Sequence, residues 1–71
     1  MKTEVRHRML TPNIMAVASV NHDLKHWRVY CGVSETDEAV DRDLILKYGG
    51  KLDQDVAEAV FPEFKAYDYQ R

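Results

Sequence analysis

The residues that could do chemistry in this chain fall into four sets. The first is His22, Asp23 and His26, with His7 upstream. These are metal-ligand types, and the two loop histidines stand four apart. They lie in Asn21-His22-Asp23-Leu24-Lys25-His26, a polar, turn-like stretch. In a loop that spacing fixes no common face, and a metal site needs three or four ligands in defined geometry. Solvated loop histidines are the plainer reading, so no metal or other cofactor is expected. A small metal protein or enzyme built on the His22/His26 loop is the least favoured of three functional readings.

Cys31 is the only thiol. It falls on the inward side of a strand, where a free cysteine behaves as a small hydrophobe. With no neighbouring base or cation, it is expected to be inert. The sequence contains no paired carboxylates on one pocket wall, no glycine-rich phosphate loop and no Ser/His/Asp spacing of a recognisable kind. Gly49-Gly50-Lys51 lacks the preceding glycine and following Ser or Thr of a P-loop. The chain is therefore read as leaning away from catalysis, with no catalytic residue assigned.

The third set is basic. Arg6, Arg8, Arg28 and Tyr30 are read as outward residues of strands, and a cation beside an aromatic on a sheet can stack a base. This gives the second reading, a single-stranded nucleic-acid binder. Double-stranded DNA is disfavoured. The second helix of a supposed helix-turn-helix would offer Asp53, Gln54, Asp55 and Glu58 to the groove, and carboxylates repel phosphates.

The fourth set is acidic: Glu35, Glu38, Asp41, Asp53, Asp55 and Glu58, with the surplus apolar residue Leu46. Net charge is −2, unevenly spread. Residues 1–33 hold five basic and two acidic side chains, and residues 34–71 hold five basic and ten acidic ones. The plain account is a solvated helical surface. The sharper one is an acidic face that meets a basic protein. The leading reading is thus a non-enzymatic protein–protein interaction or regulatory module, acting as a homodimer or in a complex.

The elements that must position these residues start with Trp27–Val33. Trp27, Val29, Cys31 and Val33 alternate with Arg28, Tyr30 and Gly32, the period of a half-buried strand. Ile14–Val20 is an uncharged apolar run, too short to span a membrane. It reads as the hairpin partner across a loop of about six residues. Residues 2–10 alternate as well, with Thr3, Val5, His7 and Met9 on one side, as in an edge strand guarded by charge.

Ser34, with Asp37 three residues on, predicts an N-cap and a helix over Glu35–Tyr48. Val40, Leu44 and Tyr48 would form its buried stripe, and Gly49-Gly50 would stop it in the left-handed conformation. Leu44-Ile45-Leu46 cannot share one face, because successive residues turn by about 100°. Leu46 is the one expected to point away. Asp53 would cap a second helix over 54–61, with Leu52, Val56, Ala59 and Val60 buried and Pro62 ending it. Residues 63–69 read either as a last strand or as an aromatic tail.

The expected fold is one small α+β domain over 1–71. A central hairpin would anchor an antiparallel sheet of three or four strands, packed on one face by two short helices, in the order β-β-β-α-α-(β). A domain near this size hides only about 60% of its unfolded surface. One cysteine cannot form an internal disulfide, and residues 1–8 lack an apolar signal core. A reducing cytoplasm and no membrane attachment are therefore expected.

Overall fold

The computed structural model describes residues 3–70. Strands β1 (Thr3–Met9), β2 (Ile14–Asn21) and β3 (His26–Val33) form an antiparallel meander. Helix α1 (Ala39–Tyr48) follows, then the two-residue strand β4 (Gly50–Lys51), helix α2 (Gln54–Val60), a 3-10 turn (Pro62–Phe64) and the two-residue strand β5 (Asp68–Tyr69). β4 pairs antiparallel with Tyr30 and Cys31, and β5 pairs parallel with His26 and Trp27. Both short strands thus share the edge of β3 that faces away from β2. The α+β class is as the sequence indicates, and so is the order of the elements except for β4, which falls between the two helices. The sheet has five strands, and its last pairing is parallel.

The register explains the core. Ala16, Ala18 and Val20 of β2 stand opposite Cys31, Val29 and Trp27 of β3, so all six point to one face of the sheet. Ala57, Phe61 and Phe64 pack onto that face, with Leu52, Val60, Tyr67 and Tyr69 around them. Met15 and Val17 point to the other face and meet Ile45, with Met9, Tyr30 and Leu46 around them. A strand buried on both sides reads as a continuous apolar run, which is why β2 carries no charge.

The two helices therefore lie on opposite faces of the sheet, not together on one. Segments 53–64 cover the aromatic face, and α1 covers part of the other. The reason lies in the connection: β4 returns to the sheet edge between the helices, so the chain changes sides there.

Several local expectations are corrected. The hairpin turn is His22–Lys25, four residues rather than six, because Asn21 and His26 pair. Asn21 Oδ1 accepts the Leu24 N–H at 3.0 Å, and Lys25 takes φ 54°. Ser34 does not cap α1. It is buried, and its hydroxyl donates to the Thr36 carbonyl at 2.6 Å. The helix starts only at Ala39, with Glu38 extended at the cap position and without a side-chain cap bond. Asp53 stands at the N-cap of α2 with extended backbone, and it too makes no side-chain cap bond.

Gly49 is extended, with φ −72° and ψ 159°, not left-handed. A Cβ there would lie 2.5 Å from the Ile45 carbonyl oxygen and 2.9 Å from that of Cys31. Close approach of backbone, not positive φ, is what requires glycine. On α2, Ala57 is the buried residue. Val56 and Ala59 are exposed, while Leu52 and Val60 pack at the margin of the core. Val33, expected inward, is exposed at the end of its strand, and Cys31 is half-buried.

Candidate functional site

The most consequential departure concerns α1. The stripe expected to face the core, Val40, Leu44 and Tyr48, faces solvent instead, with 59%, 51% and 71% of each residue exposed. Ile45 is the buried residue, and Leu46 is half-buried against the same cluster. The triplet Leu44-Ile45-Leu46 thus resolves the opposite way: Ile45 and Leu46 turn inward, and Leu44 is left out.

The inward choice has visible causes. Gly32 has no side chain, so Ile45 can lie directly on β3; a Cβ at Gly32 would sit 3.1 Å from Ile45 Cγ1. Arg42, on the same side of the helix, donates to His7 Nδ1 on β1 at 3.2 Å. The other ring nitrogen of His7 pairs with Asp37. These contacts fix the rotation of α1 and leave 40, 44 and 48 outward.

Val33, 78% exposed, ends β3 beside this stripe. Together with Gly32, Leu44, Ile45, Tyr48 and Gly49 it lines a shallow, mainly apolar cleft of about 270 Å³. Asp43 and Lys47 flank the stripe, and the Lys47 ammonium lies 5.3 Å from the centre of the Tyr48 ring. Exposed apolar residues scattered singly need no explanation, but a contiguous group marks a contact surface.

The opposite side of the sheet is closed differently. Glu63 in the 3-10 turn accepts from Arg6 at 3.0 Å and from Arg8 at 2.7 Å. The two guanidinium groups lie 4.9 Å from the ring centres of Phe64 and Phe61, and Arg8 also donates to the Val60 carbonyl. Glu4 pairs with Arg6 and with His22 Nε2, while His22 Nδ1 lies 3.1 Å from the Tyr67 hydroxyl. The hydrogen bond from His22, then Arg6, holds the Glu4 carboxyl below its ordinary value. Glu4, then Glu63, raises the Arg6 guanidinium. Partial burial raises Glu63, but its own backbone hydrogen bond and the two arginines outweigh that and leave it lowered.

The series Tyr67–His22–Glu4 has the order hydroxyl, imidazole, carboxylate. Its carboxylate is also paired with Arg6, and none of the three residues lines the cleft beside α1. With the Glu63 pairs to Arg6 and Arg8 it acts as a clamp that ties the segment after α2 to β1.

The structure divides each charged set read from the sequence. Arg6 and Arg8 lie on the clamped aromatic face, with Glu4, because Arg6 and Arg8 pair with Ala18 and Ala16. Arg28 pairs with Ser19 and points to the other face, as does Tyr30 opposite Val17. Tyr30 packs at the edge of the α1 cluster. The proposed basic surface of Arg6, Arg8, Arg28 and Tyr30 is therefore two surfaces. The acidic set also divides: Glu35, Glu38 and Asp41 belong to α1 and its approach, whereas Asp53, Asp55 and Glu58 belong to α2 on the far side. Asp41 also accepts from the Thr36 hydroxyl. Leu46, assigned to the contact surface, is drawn into the core margin.

His22 joins the clamp, and His26 lines a mixed polar and apolar cleft of about 250 Å³ with Thr3, Ser19, Asn21, Leu24 and Arg28. The two histidines are not brought together. Among the described residues no group of three His, Cys, Asp or Glu is placed to hold a metal ion. No helix among them is long and apolar enough to cross a membrane.

Compared with family models, curated proteins and solved structures, the chain matches none.

The α1 surface was missed at the sequence level because a stripe spaced by four reads as buried by default. One signal pointed to it: three consecutive aliphatic residues on a helix force at least one outward.

Proposed function

We propose that this protein is a non-enzymatic interaction or regulatory module, whose contact surface is the outer side of α1 with Val33. The observation that carries the reading is the exposure of Val40, Leu44 and Tyr48 as one stripe beside an exposed strand end. Leaving these side chains in water forgoes about 25 cal/mol for each Å² that a partner would cover. A domain with so small a core has little apolar area to spare. The acidic residues Glu35, Glu38 and Asp41, which precede or open this helix, contribute local negative potential rather than the contact itself. A reducing cytoplasm suits a chain whose single cysteine has no partner within it.

The test is capture from the source lysate, with and without nuclease, by three tagged chains: wild type, Leu44→Glu, and Asp55→Lys on α2 as a control. A partner held by wild type and Asp55→Lys in both conditions, and lost from Leu44→Glu, supports the reading. Equal recovery by all three contradicts the assigned surface.

The single-stranded nucleic-acid reading retains one specific support. Arg28 and His26 line a cleft on the half of the sheet that α1 leaves uncovered. Salt-sensitive binding of an oligonucleotide, abolished by Arg28→Glu, would favour it over the first; unchanged binding in that variant would remove it.

A further inference from the structure

We propose that the cleft on the uncovered half of the sheet binds a small phosphomonoester, with the Arg28 guanidinium as its anchor. The cleft shares no lining residue with the one beside α1, and the proposal does not rest on the reading of that surface. It uses residues of the nucleic-acid reading, but it assigns them a terminal phosphate on a small body instead of a strand.

The register builds the cleft. Thr3 pairs with Asn21, and Asn21 with His26; Val5 pairs with Ser19, and Ser19 with Arg28. Residues two apart along a strand share a face, so these two rows lie side by side. The next row is His7, Val17 and Tyr30, and there α1 takes over: Arg42 reaches His7, and Val17 packs with Ile45. The cleft therefore starts where the helix stops. Thr3 and Ser19 are short, whereas His26 and Arg28 are long. Gln70 stands beyond β3, its N–H donating to the Trp27 carbonyl at 2.8 Å. Short side chains among longer ones leave the concavity.

Its charge selects the ligand. Of the four described arginines, Arg6 and Arg8 are held by Glu63, and Arg42 by His7. Arg28 makes no hydrogen bond or ion pair among the described residues. The chain has twelve acidic residues, yet among the described residues no carboxylate lines this cleft. Asp68 pairs with His26 in register but stands outside the lining.

A guanidinium offers a planar fork of donors that fits an oxyanion in bidentate fashion. The Thr3 and Ser19 hydroxyls, the Gln70 amide and the His26 ring can add donors around it. A carboxylate has two oxygens to receive them. A phosphomonoester has three, and carries a charge of about −1.5 to −2. Leu24, 56% exposed, gives the body of the ligand an apolar wall. At about 250 Å³ the cleft falls just below the usual range of small-ligand pockets, which suits a body no larger than a pentose. Dissociation constants of about 0.1–5 mM are expected for so open a site.

The test is a titration of ¹⁵N-labelled full chain, followed by amide chemical shifts at constant ionic strength. The probes are ribose phosphorylated at its primary hydroxyl, plain ribose, and a short thymidine oligonucleotide with free hydroxyls at both ends. The chains are wild type, Arg28→Gln, and Lys47→Gln on α1, which removes one positive charge elsewhere. Arg28 and Lys47 are exposed, so each variant should keep its fold, with circular dichroism as the control.

The proposal expects saturable shifts with the phosphorylated sugar at Thr3, Ser19, His26, Arg28 and Gln70, and none with plain ribose. Arg28→Gln should weaken binding about tenfold, as the loss of one charge-assisted contact does, and Lys47→Gln should leave it unchanged. Shifts spread over the surface, or binding that Arg28→Gln weakens no more than Lys47→Gln, overturn the site. Equal binding of plain ribose overturns the phosphate. An oligonucleotide that binds as well as the phosphorylated sugar overturns the terminal group and returns the cleft to the nucleic-acid reading. No outcome touches the α1 surface, which is decided by the comparison of captured partners.

Discussion

The two faces of the sheet are finished to different degrees. On the aromatic face, Phe61 and Phe64 lie over Trp27 and the small residues of β2, and Arg6 and Arg8 close the margin onto Glu63. On the other face, α1 is held chiefly by Ile45 and by the Arg42–His7 contact, and it turns an apolar stripe to water. Part of that face has no helix over it at all, where Thr3, Ser19 and Arg28 line an open cleft. The first face has its polar groups tied to one another around a sealed core. The second leaves apolar groups exposed to water. The difference teaches where to look for function: at the face that the fold has left unfinished.

Damage to the finished face should be the most costly. Phe61 is fully buried, and Phe61→Ala should cost about 3–5 kcal/mol, as truncation of a core aromatic does. A small domain holds only about 5–10 kcal/mol in all, so urea denaturation should show a large fall in midpoint.

Gly49→Ala attacks the other face where α1 meets β3. The added methyl would press on the Ile45 and Cys31 carbonyl oxygens, and about 1–3 kcal/mol should be lost, as in overpacked sites. Hydrogen exchange should rise first in α1, with 54–64 following less. Equal loosening of both sides would show that the two faces are not separable.

Acid should act through the clamp. Glu4 and Glu63 have folded-state values below their ordinary ones. Their contribution is therefore present above the unfolded carboxylate value and is lost as pH falls through the lower folded value. Thermal midpoints measured downward from pH 5 should decline, and the decline should be shallower in Glu63→Gln. An unaltered slope in that variant would remove the clamp from the account. The smallest effect on stability is expected from Leu44→Glu, within about 0.5 kcal/mol as at exposed sites, although it should have the largest effect on association.

How much of this was legible in the sequence depends on which periodicity was read. The three long strands were clear as elements, and in Trp27–Val29 and the uncharged run of β2 the pattern reports burial directly, whereas on β1 Thr3 and Val5 are exposed and only His7 and Met9 of the expected inward side are half-buried. The helices were legible as elements but not in their rotation. An apolar residue every four positions marks a stripe, but it does not say whether core or partner covers it. Two apolar sets on α1, 40/44/48 and 45/46, competed for one core, and the choice fell to Gly32 and His7, which are distant in sequence and meet Ile45 and Arg42.

The clamp was hidden for a similar reason. Glu4, Arg6 and Arg8 alternate on β1 as solvent-facing charges do, and only the return of Glu63 to that strand gives them partners. The side-switch of the chain at β4 left no mark in composition or period, because two residues are too few to show one.

The most direct test of the account is the comparison of partners captured from source lysate, with and without nuclease, by wild type, Leu44→Glu and Asp55→Lys. The account predicts a partner held by wild type and Asp55→Lys in both conditions and lost from Leu44→Glu. Equal recovery by all three would contradict the assignment of the exposed α1 stripe as a contact surface.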